Sequence, residues 1–310
     1  MLAPLVLAFL AASGLASATP ERVSVAVLEL TGAIDPVIRS MASEGVRSGT
    51  RAALPREGFT VLERSQMLEL FKDMGLHSVE GECEVETGRN LGATYVLSGG
   101  MVEIGNQHIL TLKVHGTDTG ALLAAEDLRS DSIGGLLMGI PETTARLVKN
   151  WRTPAEPVEV PAKIGPGEQT HWILSEQGYI AVLEPTGSGG RAFGSVVADR
   201  MRAALLKVLP RDKYILMSRE NLAALLTDMG VDLSTVGGED EVETGRMVGA
   251  AFVFATQIVQ VDQEWLATLK LYRTKDATLI GTDTIRSKNP MELLDLITKH
   301  VAGRVRAGTE

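Results

Sequence analysis

Residues 23–30, VSVAVLEL, form a Val-rich, almost uninterrupted apolar run, the pattern of a strand covered on both faces. Asp35-Pro36 follows, an N-cap residue with proline at the first helical position. Ile38, Met41, Ala42, Val46, Gly49 and Ala53 then recur at helical spacing, which predicts a helix laying one face on a sheet. Phe59-Thr60-Val61-Leu62 predicts a second strand, and Met67, Leu70, Phe71 and Met74 the stripe of a short helix closed by Gly75 as a left-handed cap. Another short helix opens at Glu84 and stops at Gly92. Three strands should follow. In the middle one, Leu110, Leu112 and Val114 alternate with Thr111, Lys113 and His115, the period of an antiparallel strand with one solvated face. Gly105-Asn106 and Asp118-Thr119-Gly120 supply the hairpin turns. A helix near residues 136–151 completes the order β-α-β-α-α-β-β-β-α.

The same pattern then runs a second time. Glu84-Val85-Glu86-Thr87-Gly88-Arg89 returns verbatim as Glu241-Val242-Glu243-Thr244-Gly245-Arg246, 157 positions later, and Thr111-Leu112-Lys113 returns as Thr268-Leu269-Lys270 at the same distance. Upstream of the hexapeptide the offset is 155, which places Asp73-Met74-Gly75 on Asp228-Met229-Gly230. The helix stripe is kept pairwise, Ile38 with Phe193, Met41 with Val196 and Val46 with Met201. A period this long signifies duplicated domains, since solenoid repeats run to roughly 20–50 residues. The expected architecture is α/β (α+β) with two homologous domains, residues 22–151 and 172–308. Each is a mixed sheet of about five strands with helices packed on it. Four prolines between residues 152 and 171 make that segment an extended linker. Residues 172–174 read either as an extra strand or as a segment docking on one domain.

The formal charge of −9 and the lack of any Lys/Arg cluster argue against nucleic acid and against an anionic membrane surface as partners. Residues 1–15 are apolar and uncharged and Ala16-Ser17-Ala18 follows, so residues 1–18 read as a secretory signal peptide cut near Ala18. The usual basic start is missing. No other segment is long and apolar enough to span a bilayer. Cys83 is the single cysteine, which excludes an intramolecular disulfide and a thiolate metal cluster; it reads as a small residue at a helix start, with intermolecular pairing the alternative.

Chemical motifs are sparse. Gly187-Ser188-Gly189-Gly190-Arg191-Ala192 fits the permissive Gly-x-Gly-x-x-Gly/Ala pattern of nucleotide sites, but the equivalent loop, residues 31–35, has one glycine, and the P-loop lysine is missing. Glu84 and Glu86, like Glu241 and Glu243, stand at i and i+2 on a helix and cannot converge for acid–base work. In a first turn they suit the helix dipole. With Arg89 and Arg246, which are placed to bridge to neighbouring carboxylates, they form a possible interaction surface. His77, His108, His115, His171 and His300 are scattered and none has metal-helix spacing. No catalytic, cofactor-binding or metal residue is assigned, and no cofactor.

The element order, the VAVLEL opening, VLERSQMLELFKDMGL and ETGRNLGATYVLSG resemble the α/β domain of CsgG-like curli-secretion components, also seen in TolB N-terminal domains and in the penicillin-binding-protein activator LpoB. The chain departs from these in having no lipidation cysteine after the apolar run, no room for long membrane-inserting hairpins, and one cysteine where a pair is common. The resemblance implies a bacterial cell-envelope protein, periplasmic or outer-membrane associated and not lipid-anchored, that works by binding an envelope protein partner and not by catalysis. Alternatives are a nucleotide-binding protein or enzyme using residues 187–192, and a subunit of an outer-membrane secretion assembly.

Overall fold

The computed structural model describes residues 22–73, 84–153, 171–231 and 241–308. The signal segment, Gly75, His77, Cys83 and most of the Pro-rich linker lie outside them. The first half is built from β1 (Val23–Val27), α1 (Pro36–Ala53), β2 (Phe59–Val61), α2 (Arg64–Asp73), α3 (Glu84–Asn90), β3 (Tyr95–Ile104), β4 (Gln107–Gly116), β5 (Leu122–Ser130) and α4 (Ile133–Arg152). Its sheet runs β2-β1-β3-β4-β5, parallel through the first three strands and antiparallel through the last three.

The second half comprises β6 (Trp172–Leu174), β7 (Gly178–Val182), β8 (Thr186–Gly187), α5 (Gly190–Val208), β9 (Tyr214–Leu216), α6 (Arg219–Asp228), α7 (Glu241–Met247), β10 (Phe252–Val261), β11 (Glu264–Arg273), β12 (Thr278–Ser287), α8 (Pro290–Arg304) and β13 (Val305–Ala307). Its main sheet, β9-β7-β10-β11-β12, has the strand order and the parallel-then-antiparallel character of the first. Residues 172–174 are a strand: they pair in parallel with β13, and Trp172 lies against Gly281 of β12, where any Cβ would collide with the indole.

Local chemistry starts the helices. Asp35 and Asn289 accept hydrogen bonds from the backbone at α1 and α8, each with proline in the first turn, and Ser132 and Ser218 cap α4 and α6. Gly92 and Gly249 follow α3 and α7 in left-handed conformation at φ +64° and +71°, as the sequence pattern expects.

Each sheet is covered by a helix pair on one face, α1 with α4 and α5 with α8, and partly by a shorter pair on the other, α2 with α3 and α6 with α7. In the second half the shorter pair leaves the outer face of β11 and β12 open, and these strands alternate in burial. In the first half the same face is closed. Thr111, Lys113 and His115 are buried, where the alternating pattern predicts a solvated face. The cover is the second half of the chain: Ile109 of β4 belongs to one hydrophobic cluster with Phe193, Val196 and Val197 of α5, and Val102 and Ile104 of β3 pack against it. Ala121 also forms an isolated antiparallel bridge with Met217. A second departure is Met41, which belongs to the α1 stripe by spacing yet is 58% exposed.

Two polar features recur in both halves. Arg47 and Arg202 are fully buried inside α1 and α5, and donate to the carbonyls of Val27 (3.0 Å) and Val182 (2.6 Å) at the ends of β1 and β7. Glu29 pairs with Arg64 at 2.7 Å and Glu184 with Arg219 at 2.9 Å. Buried guanidinium groups that bond main-chain carbonyls satisfy acceptors the ladder cannot reach.

Candidate functional site: the cleft between the two halves

The face of β4 that carries Thr111, Lys113 and His115 meets the N-terminal turns of α5 and α6, and the meeting is built from charge. Lys113 Nζ stands 2.9 Å from Glu220 Oε1, 3.6 Å from Asp199 Oδ2 and 3.8 Å from Glu84 Oε2. His115 Nε2 lies 3.5 Å from Glu84 Oε2 and 3.9 Å from Glu220 Oε2. Asp199 is held from behind by Arg202 at 2.9 Å. One element further along, Arg200 pairs with Asp127 at 2.8 Å, Thr111 donates to the same carboxylate at 2.8 Å, and Arg129 bonds Asp295 of α8. Lys113, Glu84, Glu220 and Asp199 are all buried.

Burial opposes each of these charges, and the partners decide the outcome. For Glu220 the cost of burial is outweighed by Lys113 and His115, and the carboxyl stays far below the usual carboxylate range. Burial pulls the Lys113 ammonium down; Asp199, Glu220 and Glu84 together outweigh it and hold the group above its usual value. For Asp127 burial wins over Arg200 and Thr111, and its pKa is raised.

Glu84, His115 and Glu220 each offer a ligand atom, all within 4.8 Å of one another. Among the described residues, Glu84 Oε2, Glu220 Oε2 and both ring nitrogens of His115 have no hydrogen-bond partner. The donor set suits a divalent ion in composition. It does not suit one in charge, because the Lys113 ammonium already sits on both carboxylates and is the cation of the cluster. The groups form an electrostatic latch. Beside it opens a cleft of ≈ 650 Å³ walled by Arg39 and Gly100 of the first half and by Arg191, Ser195 and Arg219 of the second.

The six residues singled out by the repeated hexapeptide divide into two kinds. Glu84 and Glu241 are buried, which corrects the expectation of a surface role: the first faces Lys113 and His115, the second Lys270 at 3.5 Å. Glu86 and Glu243 are exposed and pair with Arg89 (3.1 Å) and Arg246 (3.0 Å). These arginines also donate to the carbonyls of Thr117 and Thr274, clamping the strand end to the helix. The two hexapeptides are not brought together; each fastens its own half. Glu86 and Arg89 do line a groove of ≈ 390 Å³ shared with Asn221, Ala224 and Asp228 of α6.

The first glycine of residues 187–190 has a packing explanation. Gly187 sits at φ +99° with its α-carbon against the Ile258 carbonyl, where a Cβ would overlap the oxygen. Gly32 occupies the matching place, at φ +125° against the Met101 carbonyl. In both halves glycine lets the chain leave the central strand and run close beside the next one.

The chain is similar in structure to the LpoB C-terminal domain from Salmonella enterica (13% identity, 37% of this chain and 84% of that one, TM-score 0.28). It is also similar to lipoprotein GNA1162 from Neisseria meningitidis (18% identity, 34% and 78%, TM-score 0.27) and to TolB from Acinetobacter baumannii (9% identity, 44% and 28%, TM-score 0.27). No protein-family profile and no curated protein matches the chain in sequence. Among the described residues no helix is long and apolar enough to cross a membrane.

Proposed function

We propose that the chain is an exported, non-catalytic binding and assembly factor of the bacterial cell envelope, and that the outer face of β10–β12 is the surface that takes its protein partner. The observation that carries this reading is a pair of equivalent faces in different states. In the first half, Val102, Ile104 and Ile109 are covered by the second half. Their counterparts 157 positions on, Val259, Val261 and Leu266, are also apolar, but Val259 and Val261 are 39% and 53% exposed. A half-open apolar sheet face whose twin is covered by the other half of the chain is suited to taking a protein surface too. The carboxylates of the cleft, committed to Lys113, Arg202 and Arg200, serve as a latch between halves and not as acid or base.

A photo-crosslinking residue placed at Gln257, exposed two residues before Val259 on the same strand face, tests the reading in native envelope, with the same residue at Lys72 as control. The expected result is a discrete adduct with an envelope protein from position 257 only. Equal labelling from both positions, or none from 257, removes the binding role of this face.

A further inference from the structure

We propose that copies of this chain associate head to tail, the helix face at the start of α1 of one copy docking on the open face of β10–β12 of the next. The proposal rests on the reading of that sheet face as a binding surface and names its partner as a second copy. The template is the joint inside the chain. There Phe193 and Val196 at the start of α5 share one hydrophobic cluster with the apolar trio of β3 and β4, Phe193 also lying edge-on to Trp265 of its own half, while Asp199 reaches Lys113 at 3.6 Å. Both sides of that joint exist once more, uncovered among the described residues. The helix side recurs as Ile38 and Met41 of α1, with Val37 beside them; Met41 is 58% and Val37 68% exposed. The sheet side recurs as Val259, Val261 and Leu266. The ion pair recurs in type, Glu44 standing where Asp199 stands and Lys270 where Lys113 stands. Exposed apolar side chains on a helix are ordinary when scattered; here Met41 falls at the position of Val196, which is buried in the other half.

The geometry of such a contact is fixed by symmetry. Two different surfaces meet, so the interface is heterologous, and each added copy leaves one surface of each kind free; the result is a ring where the rotation closes and a filament where it does not. The outer joint should be weaker than the inner one. Arg200 with Asp127 is replaced by Gly45 with Thr284, Asp295 with Arg129 by Met138 with Arg286, and Glu220 by Ser65. The inner joint also gains the effective concentration of a tether, on the order of millimolar for a short linker.

Sedimentation velocity of the signal-free full chain, from about one to about a hundred micromolar, decides the matter with two variants, Met41→Asp on the helix side and Val259→Lys on the sheet side. Both positions are exposed, so the fold should survive, and circular dichroism verifies it. The wild type should show concentration-dependent species larger than a dimer. Each variant alone should associate at least about tenfold more weakly. An equimolar mixture should stop at a dimer, because only one good joint can form between an intact sheet face and an intact helix face. A wild type that stays monomeric throughout, or assemblies that neither substitution affects, overturns the proposal. A monomer that still gives the Gln257 adduct refutes head-to-tail association alone and leaves the binding function standing. Assembly with no adduct from another envelope protein does the reverse to the choice of partner.

Discussion

Removing the cation of the latch should loosen the two halves from each other before it unfolds either. In Lys113→Met, Glu84, Asp199 and Glu220 lose an ammonium that stands within 3.8 Å of all three, at a site where its own side chain is 8% exposed. Removing one member of a buried ion pair costs about 3–5 kcal/mol, most of it the cost of the carboxylates left dry and unpaired. The structure sets a ceiling on that cost. Glu84 belongs to the first half and Glu220 and Asp199 to the second, so separating the halves lets water reach all three. The expected signature is therefore lost hydrogen-exchange protection in β4 and at the start of α6, with the buried inner strands β1 and β7 still protected.

If the halves stay docked, the melting midpoint should fall by roughly 6–20 °C, taking 2–4 °C for each kcal/mol in a chain of this size class. Glu220→Gln removes the nearest charge and keeps a hydrogen-bond acceptor for Lys113. In the double variant the two losses should not add, and a coupling of about 1–3 kcal/mol is expected from the cycle. Unchanged protection of β4, together with a coupling below about 0.5 kcal/mol, would refute the assignment of these groups as the joint.

Gly187→Ala, which combines φ +99° with overlap on the Ile258 carbonyl, should cost about 1–3 kcal/mol, against no more than about 1 kcal/mol for Gly190→Ala at φ +72° in open space; chemical denaturation compares them. Docking should depend on pH with two signs. The depressed Glu220 contributes above its unfolded value of about 4.3 and is lost as pH falls through the folded value, whereas the raised Lys113 contributes fully below about 10.4 and is lost only above its folded value. Asp127, raised by burial, opposes Glu220 on acidification. Small-angle scattering should thus report a constant compact form between about pH 5 and 9 and expansion below about pH 4, and expansion already at pH 6 contradicts the assignment. Export predicts that native protein begins near Thr19; N-terminal sequencing that finds Met1 in a cytoplasmic fraction contradicts it.

The element order and the helix starts were legible because they are local: an Asp or Asn followed by proline, a glycine in left-handed conformation, a stripe at helical spacing. The cover over β4 was not. Thr111, Lys113 and His115 alternating with leucine and valine give the same pattern whether the polar side meets water or the rest of the chain. The twin strand, with Thr268, Lys270 and Tyr272, is half-exposed with that pattern. The distinguishing signal lay elsewhere, in places where one half departs from the other: Glu220 against Ser65, Arg200 against Gly45, Asp295 against Met138. The repeated hexapeptide drew attention to Glu84 for its repetition, but its place in the cleft depends on Lys113 and Glu220, which are far from it in sequence. Arg47 and Arg202 were hidden in the same way, since an arginine inside an amphipathic helix reads as solvent-facing until a carbonyl at a strand end is found within reach.

Those departures also explain why the halves dock in one sense. The chain carries each kind of surface twice, so the helix face of the first half could in principle lie on the sheet face of the second. That reverse joint would bury the same kind of apolar trio, so burial alone does not choose between them. Charge does. The observed joint sets Arg200 against Asp127, Arg129 against Asp295 and Glu220 against Lys113. The reverse joint would set Gly45 against Thr284, Arg286 against Met138, and Lys270 against Ser65, leaving Arg286 without an acid and Lys270 with Glu241 and Glu44 only. Fewer matched charges make the mirror the weaker joint, so within one chain the substitutions favour the observed one. The same substitutions leave the two outer faces with few matched charges beyond Glu44 and Lys270, able to be wetted when alone and to associate through apolar contact when concentrated.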